Sequence, residues 1–383
     1  MKALELLQFI GRILSAPSHP GVAEDLRRRV RRDPVCWEKV ASIANSHLVI
    51  PALHTGLGSC DLLTEIPPDF LLYLQTLQEL NADRNRRIRN EVHDTAVILN
   101  RLGIEPVLIK GAGNLFRGIY EKDGDRVLTD IDILVPREQL GIAFRALTQA
   151  GFQRLDPVIS ADAELGPKGA HHAPRLARPE SGIPIELHSR VQEKILVPDP
   201  ADECKRAVFR ALEHVDFRAR VLTEDEQTIQ TIIHCQVSHQ SYRSACPSLR
   251  ALWDVVLLTG RRAGTERQSR EIPFKQEGTA RIYADFVEWG TLLFPAFPLS
   301  SQGTSPALHR LRKRASLTFP AYAWIEELLL QPVCSISNIR KLLENGTISY
   351  RTLPAEIRRR LGTREWWSNR RKRCSDRWRK FGV

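Results

Sequence analysis

Asp130 and Asp132 stand one residue apart inside an apolar run, TDIDILVP at positions 129–136. Aspartate disfavours a strand and is costly to bury alone, so two of them at alternate positions imply that something cationic faces them. Strand side chains alternate, which sends both carboxylates to one side, about 7 Å apart by Cα, while Ile131 and Ile133 enter the other, apolar side. Such a pair suits Mg²⁺, a hard cation that prefers oxygen ligands and shares them with substrate phosphates. Taken alone, a D-x-D pair is more often solvent-facing charge on an edge strand.

Two further stretches bear on the same chemistry. VLIKGAGN (107–114) ends an apolar run in Lys110, Gly111 and Gly113. A glycine-containing turn after a strand can present backbone N–H groups to phosphate oxygens, with Lys110 adding charge, or it can simply be a tight turn. The G-x-x-x-x-G-K-[ST] pattern of a P-loop is absent. IPIELHSRV (183–191) puts Glu186 and His188 on one strand face. If that strand neighbours the first, Glu186 completes a triad with Asp130 and Asp132, the set that clamps both oxygens of an in-line displacement through two metal ions. The plainer alternatives are a Glu186–Arg190 charge pair and a half-buried core histidine.

Elements must hold these residues in place. Residues 1–102 read as a helical region, its last segment (68–102) spacing Leu74, Leu77, Ile88, Val92, Ala96 and Leu99 by threes and fours between Pro68 and Gly103, as one long helix or two. Residues 103–200 switch to short β-type runs around one amphipathic helix (137–151), the pattern of a small α+β domain. Residues 201–320 return to helix in DECKRAVFRALEHV, in TEDEQTIQTIIHCQVSHQ with a Thr223…Glu226 capping box, and in PSLRALWDVVLLTGR; 261–281 read as a polar loop. Residues 321–383 are short helices and a basic tail.

In this order, LIKGAGNLFRGIY, RVLTDIDILV and IPIELHSRV resemble the DNA polymerase β-like nucleotidyltransferase superfamily, and more closely a poorly characterised bacterial nucleotidyltransferase family within it, over roughly residues 35 to 260. The resemblance implies a mixed-sheet nucleotidyltransferase core flanked by helical N- and C-terminal regions. It also implies transfer of a nucleoside monophosphate from an NTP to an acceptor, with release of pyrophosphate and dependence on Mg²⁺ or Mn²⁺. Asp130, Asp132 and Glu186 would hold metal, with Glu186 as the candidate base; Lys110, Gly111 and Gly113 would embrace the triphosphate. Arg126 would meet phosphate or pair with Asp130. His188, His234, His239 and Asp254 would line the cleft. The acceptor, whether RNA, protein or peptide, or small molecule, is not read from these residues.

The remaining features bound the setting. The chain has 383 residues, is 42% hydrophobic and carries a formal charge of +11. It has no apolar run near the roughly 20 residues that span a bilayer. Seven scattered cysteines without a C-x-x-C pair fit ordinary thiols in a reducing cytoplasm. His234 and His239 lie five apart on an expected helix, off a shared face, and Cys235 with His239 has no second pair to complete a zinc site. Residues 357–383 hold eleven Arg or Lys against Glu365 and Asp376, with Trp366, Trp367 and Trp378 interleaved. That tail fits an amphipathic terminal helix, contact with RNA or single-stranded DNA through phosphates and stacked bases, or contact with an anionic membrane surface. The rival to an enzyme is therefore a non-catalytic nucleic-acid-binding protein on a transferase scaffold.

Overall fold

The structure, a computed structural model, describes residues 3–155, 172–191, 209–212, 216–239, 241–260, 277–295 and 297–301. The basic tail and the expected short helices after 301 lie outside the described residues. Four helices come first: α1 (Ala3–Ser15), α2 (Pro20–Arg32), α3 (Trp37–Ser46) and α4 (Ile50–Gly58). They are followed by one continuous 33-residue helix, α5 (Pro68–Asn100). Its end is set by Gly103, whose φ of +70° takes the chain out of the helix at little cost.

The sheet has seven described strands: β1 (Val107–Leu108), β2 (Ile131–Leu134), β3 (Gln153–Arg154), β4 (Leu176–Ala177), β5 (Ile185–His188), β6 (Phe209–Leu212) and β7 (Ala219–Leu222). Their order is β3-β4-β5-β2-β1-β7-β6, with β2–β5 and β1–β7 parallel and the other pairs antiparallel. Helix α6 (Lys110–Arg117) leaves β1, and α7 (Leu140–Gln149) follows β2. The chain is thus α+β with a mixed sheet, as the sequence suggests. Residues 209–212, expected as helix, instead form edge strand β6, so the sheet extends past the boundary expected at 200. The reason is the antiparallel ladder that β7 offers to all four residues, a pairing that overrides a short ambiguous apolar run.

Alternation fixes the two faces. Ile131, Ile133, Ile185, Leu187, Leu108 and Val221 enter one core with Ile88, Val92, Ala96 and Leu99 of α5 and Phe144 and Leu147 of α7. The opposite face carries Asp132, Leu134, Glu186 and His188, and there the apolar part is small: Val107, Ile109, Leu134, Val191 and Leu222. Helices α8 (Glu224–Ile233), α9 (Ser241–Ser244), α10 (Leu249–Gly260) and α11 (Glu277–Leu293) complete the described structure. Thr223 does precede α8 in extended backbone, but its side chain makes no capping hydrogen bond, so the expected capping box is not formed. Residues 277–281, expected as loop, begin α11. The N- and C-terminal helices are not separate bodies: residues from Leu6 to Leu74 and from Ile232 to Leu299 share one hydrophobic core.

Helix α5 does more than bury apolar surface. Gln78, Asn81 and Asn85 are buried on it at helical spacing and face the segment before β2. Gln78 Nε2 donates to Asp125 Oδ1 (2.7 Å), Asn81 Nδ2 to the carbonyls of Gly124 and Arg126 (2.8 and 2.9 Å), and Asn85 Nδ2 to that of Arg126 (2.8 Å). Arg84 Nε adds a bond to the Leu128 carbonyl (2.9 Å). This row satisfies the backbone of residues 123–129, which ordinary strand pairing does not reach, and so fixes how the chain enters β2 at Asp130.

Candidate active site

Parallel pairing of β2 and β5 sets Asp132 directly opposite Glu186. Asp132 Oδ1 accepts two bonds, from Lys110 Nζ at 2.6 Å and from His188 Nε2 at 2.7 Å, and His188 Nε2 is 3.4 Å from Glu186 Oε2. One ligand atom each from Asp132, Glu186 and His188 lie within 4.8 Å of one another. Asp130 precedes β2 on the same side and is less enclosed; its Oδ1 accepts from Thr129 Oγ1 at 3.0 Å.

The charges follow from these contacts. Burial alone would raise the Asp132 carboxyl, but the His188 hydrogen bond and the Lys110 charge outweigh it and hold Asp132 far below the usual carboxylate range. The His188 bond also lowers Glu186 against its partial burial. His188 itself is raised: its burial is outweighed by the hydrogen bonds to Asp132 and Glu186. Asp130 moves the other way, raised by burial and by the negative charges of Asp132 and Glu186. Lys110 and His188 thus bond to Asp132 and favour its ionised form, with the Asp130 carboxylate destabilised beside them.

Lys110 has a φ of +51°, a left-handed conformation that a side chain adopts only when its surroundings require it. Its amide donates to Gln230 Oε1 at 3.1 Å, and Gln230 Nε2 donates in turn to the Val191 carbonyl at 3.0 Å. Two elements thus pin the residue that bridges to Asp132. Gln230 has no counterpart in the expectations from sequence; its signal was a polar residue among the apolar positions of α8. Lys110 opens α6, so the expected glycine turn is a helix start, with Gly111 and Ala112 in its first turn. Gly113 allows a close approach: its amide donates to the Ile109 carbonyl, and a Cβ there would stand 2.7 Å from the Leu108 carbonyl oxygen.

Arg126 is buried and its ion pair is with Asp254 on α10, not with Asp130. Its Nε lies 3.0 and 3.2 Å from the two carboxylate oxygens and its Nη2 2.8 Å from Oδ2. Tyr120 donates its hydroxyl to Asp254 Oδ1 at 3.0 Å. The clamp sits beside the cleft, since the position a Gly111 Cβ would occupy is 3.9 Å from Arg126 Nη2. Asp254 is therefore a buried strut.

His234 and His239 correct a second expectation. Residues His234–Ser238 form a π turn, closed by the His239 N–H donating to the His234 carbonyl at 3.0 Å. An i→i+5 bond brings together side chains that an α-helix would separate, and the two rings meet edge to face with centroids 4.5 Å apart. Burial, and then the charges of Lys110 and His239, push the His234 pKa down to about 3, so its ring is neutral beside the cleft. Cys235 is buried, its thiol pushed up to about 11 by burial, and bonds to Ser241 at 3.4 Å.

The two parallel strands thus bring Asp132 and Glu186 to one histidine, with Lys110 bonded to Asp132. The sequence of residues 33–271, well over half of the chain, matches the family model described as uncharacterised nucleotidyltransferase. The chain belongs to that family. No curated protein matches it. Among solved structures it is similar to an antigenic nucleotidyltransferase-like protein from Paracoccidioides brasiliensis, at 11% identity and a TM-score of 0.35 over 59% of this chain and 94% of the other. No helix among the described residues is long and apolar enough to cross a membrane.

Proposed function

We propose that this chain is a metal-dependent nucleotidyltransferase that moves a nucleoside monophosphate from an NTP to a hydroxyl acceptor and releases pyrophosphate. The observation that carries the reading is the register of Asp132 against Glu186, with Asp130 on the same side and Lys110 bonded to Asp132. The donor set fits a divalent cation. Three carboxylates suit Mg²⁺, and an imidazole among them suits Mn²⁺ as well. Asp130, Asp132 and Glu186 would hold the ion, which when bound would neutralise charge on the phosphate oxygens and favour the acceptor's alkoxide.

The chain's own residues supply the rest. Lys110, bonded to Asp132, turns its ammonium to the triphosphate beside the first-turn amides of α6. His188 holds Asp132 and Glu186 in one orientation. Glu186, ionised and only half-buried, takes the proton from the acceptor hydroxyl. The acceptor oxygen bonds to the α-phosphorus, the bond from that phosphorus to the β-bridging oxygen breaks, and pyrophosphate leaves with the electron pair.

Incubation of the protein with each α-labelled NTP and Mg²⁺ or Mn²⁺, with and without RNA and cell extract, tests this directly. Wild type should label one acceptor class, RNA, protein or small molecule, and lose the reaction to chelator, whereas Asp132→Asn should keep its fold and transfer nothing. Full activity in Asp132→Asn would refute the site. No transfer, together with no metal-dependent NTP binding, would favour the nucleic-acid-binding scaffold.

A further inference from the structure

Gln230 of α8 is 2% exposed, and both ends of its side-chain amide are used. Oε1 accepts from the Lys110 N–H at 3.1 Å, and Nε2 donates to the Val191 carbonyl at 3.0 Å. A backbone N–H can only donate and a carbonyl can only accept, so the two partners fix which way the amide faces and call for Gln rather than Glu. The Lys110 N–H is the first of α6, and Ile109, which precedes it, offers no capping side chain. Gln230 supplies the missing acceptor from 120 residues away.

The two partners belong to the two strands that flank Asp132. In the sheet, β2 lies between β5 and β1. Lys110 follows β1, while Val191 follows β5 and packs with Val107, Ile109, Leu134 and Leu222 on the cleft face. A single buried amide therefore joins the lysine to the strand of Glu186 and His188 across the strand of Asp132. What it holds is a strained residue: Lys110 sits at φ +51°, and from that backbone its ammonium reaches Asp132 Oδ1 at 2.6 Å. Relaxation to negative φ would turn the Cα–Cβ bond to a new direction, so the Gln230 tie sets where the ammonium stands.

We infer that Gln230 is a positioning residue for nucleotide binding, acting on the triphosphate through Lys110 by holding its ammonium within reach of both Asp132 and the phosphates. The inference rests on the nucleotidyltransferase reading and adds a residue, outside the motifs that carry the chemistry, that keeps the lysine in place against the carboxylate strands. Without Gln230 the lysine keeps its charge but loses its place, so affinity for the polyphosphate falls while binding of the nucleoside part is unaffected.

Calorimetry of wild type, Gln230→Met, Lys110→Met and the double variant with NTP, NMP and tripolyphosphate, at fixed Mg²⁺, tests the route. Lys110→Met should weaken NTP and tripolyphosphate about 10- to 100-fold, the loss of one charge-assisted contact, and Gln230→Met about 10-fold, with NMP unchanged in both. In the Lys110→Met background the Gln230 change should add less than about twofold, because the residue it works through is gone. Gln230→Glu, of the same shape, keeps an acceptor for Lys110 but not the donor to Val191; it should fall between wild type and Gln230→Met, and it carries the same cycle if Gln230→Met does not fold. Equal factors for the Gln230 change in the two backgrounds, equal weakening of NTP and NMP, or wild-type NTP affinity in both Gln230 variants would overturn the assignment. If wild type bound tripolyphosphate with this pattern yet transferred no nucleotide, the transferase reading would fail while the positioning role stood.

Discussion

The Arg126–Asp254 clamp gives a stability prediction whose size follows from its geometry. The two side chains are 7% and 5% exposed, three N···O contacts join them at 2.8–3.2 Å, and the Tyr120 hydroxyl adds a fourth bond to the same carboxylate. Asp254→Ala leaves the guanidinium buried without its carboxylate and takes from the phenol its Asp254 acceptor. Breaking one side of a buried pair costs about 3–5 kcal/mol, because the surviving charge stays desolvated. At about 2–4 °C per kcal/mol for a domain-sized unit, the melting temperature should fall by roughly 6–20 °C. The double variant Arg126→Met/Asp254→Leu removes both charges and should recover most of the loss, to within about 1–2 kcal/mol of wild type by urea midpoints. A single variant that loses under about 1 kcal/mol, or a double variant no better than the single, would show that the pair is not the buried strut described here.

Gly113→Ala should lose about 1–3 kcal/mol, because the new Cβ meets the backbone oxygen of Leu108 at 2.7 Å and a strand must move. Gly111→Ala meets only the tip of Leu128 at 3.0 Å and should cost under about 1 kcal/mol; equal thermal shifts for the two would contradict the packing role. His234 has a folded pKa of about 3 against about 6.5 unfolded, so between those values the unfolded chain binds a proton that the folded ring refuses. Stability attributable to it should therefore be complete above pH 6.5 and fall by about 1 kcal/mol per pH unit below about 6. His234→Gln should flatten that part of the profile, and an NMR titration of His234 near 6.5 would refute its enclosure.

The meeting of Asp132 with Glu186 and His188 was legible because it depends on local alternation: Ile131 and Ile133 declare one face buried, which leaves Asp132 on the other, and ELH repeats the logic in β5, although the ligand atoms that cluster there do not include those of Asp130. Even Lys110 was visible, as a cation ending a strand. Its left-handed backbone was not, because the restraint comes from Gln230, 120 residues away. Arg126 shows the same limit more sharply. Spacing offered it Asp130, four residues on, yet its carboxylate comes from 128 residues away, since a fully buried guanidinium takes the partner that is buried with it. The π turn fails for a different reason: five-residue spacing carries no helical signature, and only the closed turn shows that His234 and His239 meet. The buried row Gln78, Asn81 and Asn85 lies between these cases. Its helical spacing within an otherwise apolar stripe was present in the sequence, and burial would have demanded partners for all three. Such a row implies a stretch of irregular backbone packed against it, and the segment that leads into Asp130 is that stretch.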